Sequence, residues 1–98
     1  MAKYMTLWEI DISRIPEDQK AKKAKLQGFG KAVLKQLKEG TIKDWGVFAG
    51  EMGGYTIFEG NAVDLHAYNA MWAPVGQFKV RQVLTIDEVN KATDALPE

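Results

Sequence analysis

The chain has 98 residues, 46% hydrophobic and 27% charged, with 13 Lys+Arg balancing 13 Asp+Glu; that length supports one core and not two, so a single domain over residues 1–98 is expected. The balance excludes disorder, collagen and coiled coil. No apolar run approaches the ~18–20 residues of a membrane span and no secretory leader is readable, so the expected address is the cytoplasm, with no membrane partner.

From Lys3 to Ile12 the chain is rich in aromatic and β-branched residues and ends at Ser13-Arg14-Ile15-Pro16, which predicts a strand running into a turn. Pro16 followed by Glu17 and Asp18 suits the start of a long helix, because proline surrenders no needed amide in the first turn and acidic groups favour the positive end of the helix dipole. Leu26, Phe29, Gly30, Val33, Leu34 and Leu37 share one sector of the helical wheel, with Lys20, Lys25, Lys31, Lys35 and Lys38 opposite, and Gly40 suits a left-handed cap.

Thr41 to Gly50, with Trp45, Val47 and Phe48, predicts a second strand; Glu51-Met52-Gly53-Gly54 has turn chemistry, and Tyr55 to Glu59 predicts a third strand paired with the second. Asn61 is an N-cap residue for a second helix over Ala62 to Trp72, stopping before Pro74. Gln77 to Leu84 supplies a fourth strand. Thr85-Ile86-Asp87-Glu88 matches a capping box, with Val89, Ala92 and Leu96 on one side of a short final helix. The order β-α-β-β-α-β-α is that of an α+β, ferredoxin-like βαββαβ fold, with a four-stranded antiparallel sheet and two helices on one face.

Both faces of this sheet read as apolar. In the first strand Tyr4, Thr6, Trp8, Ile10 and Ile12 alternate with Met5 and Leu7, which give way to Glu9 and Asp11. Tyr55 and Ile57 oppose Thr56 and Phe58, and Phe78, Val80 and Leu84 oppose Val83. Helices cover one face only, and a second apolar surface is costly in water, so a homodimer through the open sheet face is expected; the alternative is that the third helix folds across it. Periodicity leaves open which face meets the helices.

The segments Thr6-Leu7-Trp8-Glu9, Trp45-Gly46-Val47-Phe48, and Met71-Trp72-Ala73-Pro74 leading to Phe78-Lys79-Val80-Arg81-Gln82-Val83-Leu84 together resemble a family of short, functionally uncharacterised prokaryotic proteins related to the dimeric α+β barrel group. The resemblance covers nearly the whole chain, and its most distinctive piece is the Trp-x-Pro step before the fourth strand. It implies a fold and a dimer, not a reaction. The wider group includes cofactor-free isomerases, small monooxygenases and haem-handling proteins that use a cavity between sheet and helices, but none of their catalytic motifs is matched here.

The inventory of reactive side chains is short. Zero cysteines exclude disulfides, thiolate metal sites and cysteine nucleophiles, and one histidine excludes a two-imidazole site; no metal or cofactor is expected. His66, on the second helix, is either a proton-transfer group or a surface histidine. Trp8, Trp45 and Trp72 either wall a flat-ligand cavity or anchor the core and the dimer interface. In the second helix Leu65, Tyr68 and Trp72 lie opposite Val63, Ala67 and Ala70, so both sides are covered or one lines a pocket. Glu9 and Asp11 form a proton-sharing pair or the solvated tip of a strand, and Arg81 pairs with Glu9 or holds a substrate carboxylate.

Residues 16–40 hold seven lysines against Glu17, Asp18 and Glu39, but spread around a solvated helix in a neutral chain. RNA-recognition modules share the βαββαβ order, yet of the aromatic and glycine pattern on their third strand only Gly54-Tyr55 fits, so no nucleic acid is expected. Gly50 to Gly54 lacks the Gly-Lys-Ser/Thr of a phosphate loop. Two readings remain. One is a homodimeric small-ligand-binding or structural module. The other is a cofactor-free isomerase or monooxygenase-like enzyme acting on a small aromatic or unsaturated carbonyl compound, in which His66 or Glu9 moves a proton while Trp8, Trp72, Tyr68 and Arg81 hold the substrate. A cavity with an ionisable side chain inside it separates the two.

Overall fold

A computed structural model describes residues 2–97. Four strands, β1 (Ala2–Ile10), β2 (Asp44–Val47), β3 (Gly53–Gly60) and β4 (Gly76–Val83), and three α-helices, α1 (Gln19–Glu39), α2 (Ala62–Trp72) and α3 (Ile86–Asp94), follow the expected order. The sheet is antiparallel throughout, in the order β2-β3-β1-β4, with Thr6 of β1 opposite both Thr56 and Val80. This is the ferredoxin-like arrangement, with the first and third strands at the centre.

The helix ends follow the expected chemistry with shifts of a few residues. Helix α1 starts at Gln19, three residues beyond Pro16, because the Asp18 carboxylate caps it by accepting from the Ala21 amide; it closes on Gly40 at φ 77°. Asn61 caps α2 through the Asp64 amide, and Thr85 and Glu88 form both halves of the capping box on α3. The first strand ends at Ile10 rather than Ile12, and Ile12–Arg14 form one 3-10 turn held by the Asp11 carboxylate, which takes hydrogen bonds from the Ser13 hydroxyl and amide.

Two expectations are corrected at β2 and β3. Strand β2 pairs over four residues only, not from Thr41 to Gly50. Gly53 and Gly54 are not the turn but the first residues of β3, opposite Glu9 and Trp8, and the turn lies in Ala49–Met52 with Gly50 at φ 80°. Glycine is required at 54 for space: a Cβ there would lie 2.7 Å from Cζ2 of Trp8 and collide with the Gly46 carbonyl.

The helices cover the face bearing Tyr4, Thr6, Trp8, Trp45, Thr56, Phe58 and Phe78. Val33, Ile42, Phe58, Leu65 and Tyr68 form the buried cluster, with Tyr4, Leu37, Trp45 and Trp72 packed against it. Burial rotates α1 away from the expected sector: Phe29, Val33 and Leu37 face inward, while Leu26 and Leu34 are exposed. The open face carries Met5, Leu7, Tyr55, Ile57 and Val83, all half-buried, ringed by polar residues such as Glu9, Lys79 and Arg81.

Helix α3 does not cover that face. None of its residues is buried, and Leu84, Ile86, Val89 and Leu96 stay exposed. The radius of gyration of 16.5 Å exceeds the about 13 Å of a compact chain of this length, and the extents are 62 × 25 × 23 Å. Among the described residues no helix is long and apolar enough to cross a membrane.

Candidate functional site

Beside the filled core, the space between sheet and helices opens into a cavity of about 70 Å³, with Thr6, Trp8 and Ile10 from β1, Trp45, Thr56 and Phe78 from the other strands, Phe29 and Val33 from α1, and Tyr68, Asn69 and Trp72 from α2. Strand alternation and helical spacing build this wall. Thr6, Trp8 and Ile10 are every second residue of β1, and Tyr68, Asn69 and Trp72 stand at i, i+1 and i+4 of α2, continuing the side on which Leu65 joins the buried cluster. Of the two readings of α2, the one holds in which a single side lines a pocket: Val63 and Met71 on the other side are exposed at 78% and 64%.

The wall is mainly aromatic. Trp8 and Trp45 stack with centroids 5.4 Å apart and planes inclined by 18°, and Phe29 meets Trp72 edge to face at 5.8 Å. Few polar atoms interrupt it. The Tyr68 hydroxyl donates to Oε1 of Gln36 at 2.6 Å, and the Asn69 amide nitrogen donates to Oγ1 of Thr6 at 3.4 Å. The indole N–H groups of Trp8 and Trp72 are buried without a hydrogen-bond acceptor. Burial pushes the Tyr68 phenol above its ordinary pKa; the neighbouring Trp72 indole opposes this by proximity, without the geometry of a hydrogen bond.

Trp8, Tyr68 and Trp72 thus come together in the lining of one cavity. His66, Glu9 and Arg81 do not join them. His66 is exposed and outside the lining, because one residue of helix turns it about 100° away from Leu65. Glu9 belongs to the wall by position, but alternation sends its side chain to the opposite face from Trp8 and Ile10, and it is exposed. Arg81 is exposed on that same open face, opposite Met5; Glu9 lies four residues further along β1, about 13 Å away at ~3.3 Å per residue, so the expected Arg81–Glu9 pair does not form. Sequence reasoning missed Thr6, Phe29, Asn69 and Phe78 as wall residues. Asn69 was accessible from its i+4 spacing after Leu65, and Phe78 from its register opposite Trp8.

Among the described residues no cluster of three or more histidine or carboxylate side chains is placed to hold a metal ion. A family profile, the domain of unknown function DUF3303, matches residues 2–97. The chain belongs to this family. A search of curated proteins finds no match. The family covers the whole described fold, so cavity and open face both lie within the DUF3303 unit.

Proposed function

We propose that this DUF3303 protein is a one-domain, cytoplasmic, homodimeric module that binds a small organic ligand in the cavity between sheet and helices, in the manner of the dimeric α+β barrel group. The observation that carries the ligand reading is the cavity itself: a mainly aromatic wall around about 70 Å³, in a fold whose neighbouring core is filled. Native interiors leave few voids larger than a water, so the cavity points to an occupant.

The dimer reading is supported by what stays uncovered. Met5, Leu7, Tyr55, Ile57 and Val83 make an apolar centre with a polar rim, and α3 leaves it open. Three strands of eight or nine residues and one of four, ~4.8 Å apart at ~3.3 Å per residue, present roughly 450 Å², short of the about 800 Å² per partner of a standard interface. The unpartnered side of α3, with Ile86 and Val89, follows directly from β4 and supplies further area to a second copy.

The enzyme alternative, a cofactor-free isomerase or monooxygenase, requires a proton-moving side chain in the cavity. Of the ionisable residues at its wall, Glu9 sends its side chain to the other face and burial moves the Tyr68 phenol further from neutral pH, so binding is the better-supported reading. A benzene titration followed by tryptophan fluorescence tests it. Saturable quenching is expected, at about one site per chain; a purely linear, non-saturating response contradicts an open cavity.

A further inference from the structure

We infer that a second copy sits on the open face about a two-fold axis parallel to the strands, so that Asp44 of each chain meets the partner's Arg81 and Glu59 meets the partner's Lys3. The inference rests on the reading of that face as a homodimer interface and adds how the two copies are set. Register and alternation place the side chains of the face in rows. One row holds Glu59, Lys3 and Val83. The next runs Asp44, Ile57, Met5, Arg81 from β2 to β4, and the one after it Gly46, Tyr55, Leu7, Lys79. Beyond them Glu9 stands between Gly53 and Gln77. Charge is thus sorted by edge, with Asp44 and Glu59 on the β2–β3 side, Lys79 and Arg81 on β4, and an apolar centre between. None of these charges is paired within its own chain: among the described residues the ion pairs are Arg14–Asp11 and Lys35–Glu39.

Two identical sheets packed face to face with their strands roughly aligned are related by a two-fold axis between them, either along the strands or across them. Centred on the apolar rows, the axis across the strands lays each strand over its own copy and reverses the rows, which sets Arg81 against the partner's Lys79 twice. The axis along the strands keeps the rows and reverses the strand order. Asp44 then faces the partner's Arg81, Glu59 faces the partner's Lys3, and Ile57 and Tyr55 cover the partner's Met5 and the partner's Leu7. The partner's Lys79 comes to Gly46, across which the Tyr55 ring lies so closely that an added Cβ would stand 2.5 Å from its Cε1; the outward face of that ring suits a cation. Like charges suppress the first arrangement, and opposite charges fix the register of the second.

The test is a charge swap in the full chain, read as the dimer dissociation constant by sedimentation equilibrium. Arg81 and Asp44 lie at opposite edges of the sheet, three strand spacings or ~14 Å apart, so neither can compensate for the other within one chain. Arg81→Glu and Asp44→Lys should each weaken self-association about 10- to 100-fold, because each change turns two attractions into two repulsions. An equimolar mixture of the two variants should associate as tightly as the wild type, since both edge contacts of that mixed dimer again join opposite charges. If Asp44→Lys disturbs β2, where the carboxylate accepts from the Tyr55 hydroxyl, Lys3→Glu mixed with Glu59→Lys asks the same question one row away. A tighter Arg81→Glu dimer, an unchanged one, or a mixture no stronger than either variant overturns the inference, while a wild-type dimer that Leu7→Lys separates keeps the open-face reading. A wild type that stays a single chain overturns both.

Discussion

Replacing Gly54 by alanine probes how the cavity is built. Gly54 faces Trp8 across the β1–β3 ladder, and an added Cβ would lie 2.7 Å from the indole Cζ2 while also meeting the Gly46 carbonyl of β2. The indole can swing, but a carbonyl within the ladder cannot, so β2 and β3 must separate locally. Overpacking of this kind costs about 1–3 kcal/mol, and the lower chain entropy of alanine when unfolded returns about 0.4–1 kcal/mol. The net loss of about 1–2 kcal/mol corresponds to a fall in Tm of about 5–15 °C for a domain of this size. Gly28→Ala is the matched control. It lies inside α1 with nothing within 4 Å of the added carbon, so it should stabilise by about 0.5–1 kcal/mol through helix propensity. Thermal melts by circular dichroism, with tryptophan emission to follow Trp8, read both. A Gly54→Ala protein that melts with the wild type and keeps its emission spectrum would refute the placement of Trp8 against Gly54.

Tyr68→Phe leaves Oε1 of Gln36 without its donor and should cost about 1 kcal/mol in denaturant unfolding. Because burial raises the Tyr68 pKa, the stabilisation tied to its protonated phenol is complete below the ordinary tyrosine value and lost as pH rises through the folded one. The variant should accordingly show a shallower alkaline loss of stability. At the other end of the chain, the Thr85 amide holds the Glu88 carboxyl below its usual range. Its contribution is present above the unfolded carboxylate value and disappears as pH falls through the folded one, so amide resonances of α3 should lose helical shifts on acidification, and Glu88→Gln should flatten that dependence.

The order of elements was legible because its signals are local. Asn61 before Ala62, Thr85 with Glu88, and Gly40 after Glu39 are capping residues whose effect lies within four residues of chain. The Gly53-Gly54 step was misread for the opposite reason: its glycines answer a crowding by Trp8 and the Gly46 carbonyl that exists only once three strands are side by side. The rotation of α1 has a similar origin. Leu26 and Leu34 are as hydrophobic as Phe29 and Val33, and only the position of the sheet decides which pair faces in. At the site, aromatic residues announced themselves by type, whereas His66, Glu9 and Arg81 were singled out for their chemistry. Their exclusion from the cavity follows from a single residue of phase on α2, β1 and β4.

The central claim is a division of labour between the two faces of one sheet, helices and ligand on one side, a second copy on the other. Sedimentation equilibrium at ten to a hundred micromolar tests it most directly, alone and with Leu7→Lys, a charge placed at the centre of the open face. A particle of twice the 11.0 kDa chain mass that falls to a single chain in the Leu7→Lys protein is the expected result. A wild-type particle of 11.0 kDa across that range would contradict the account.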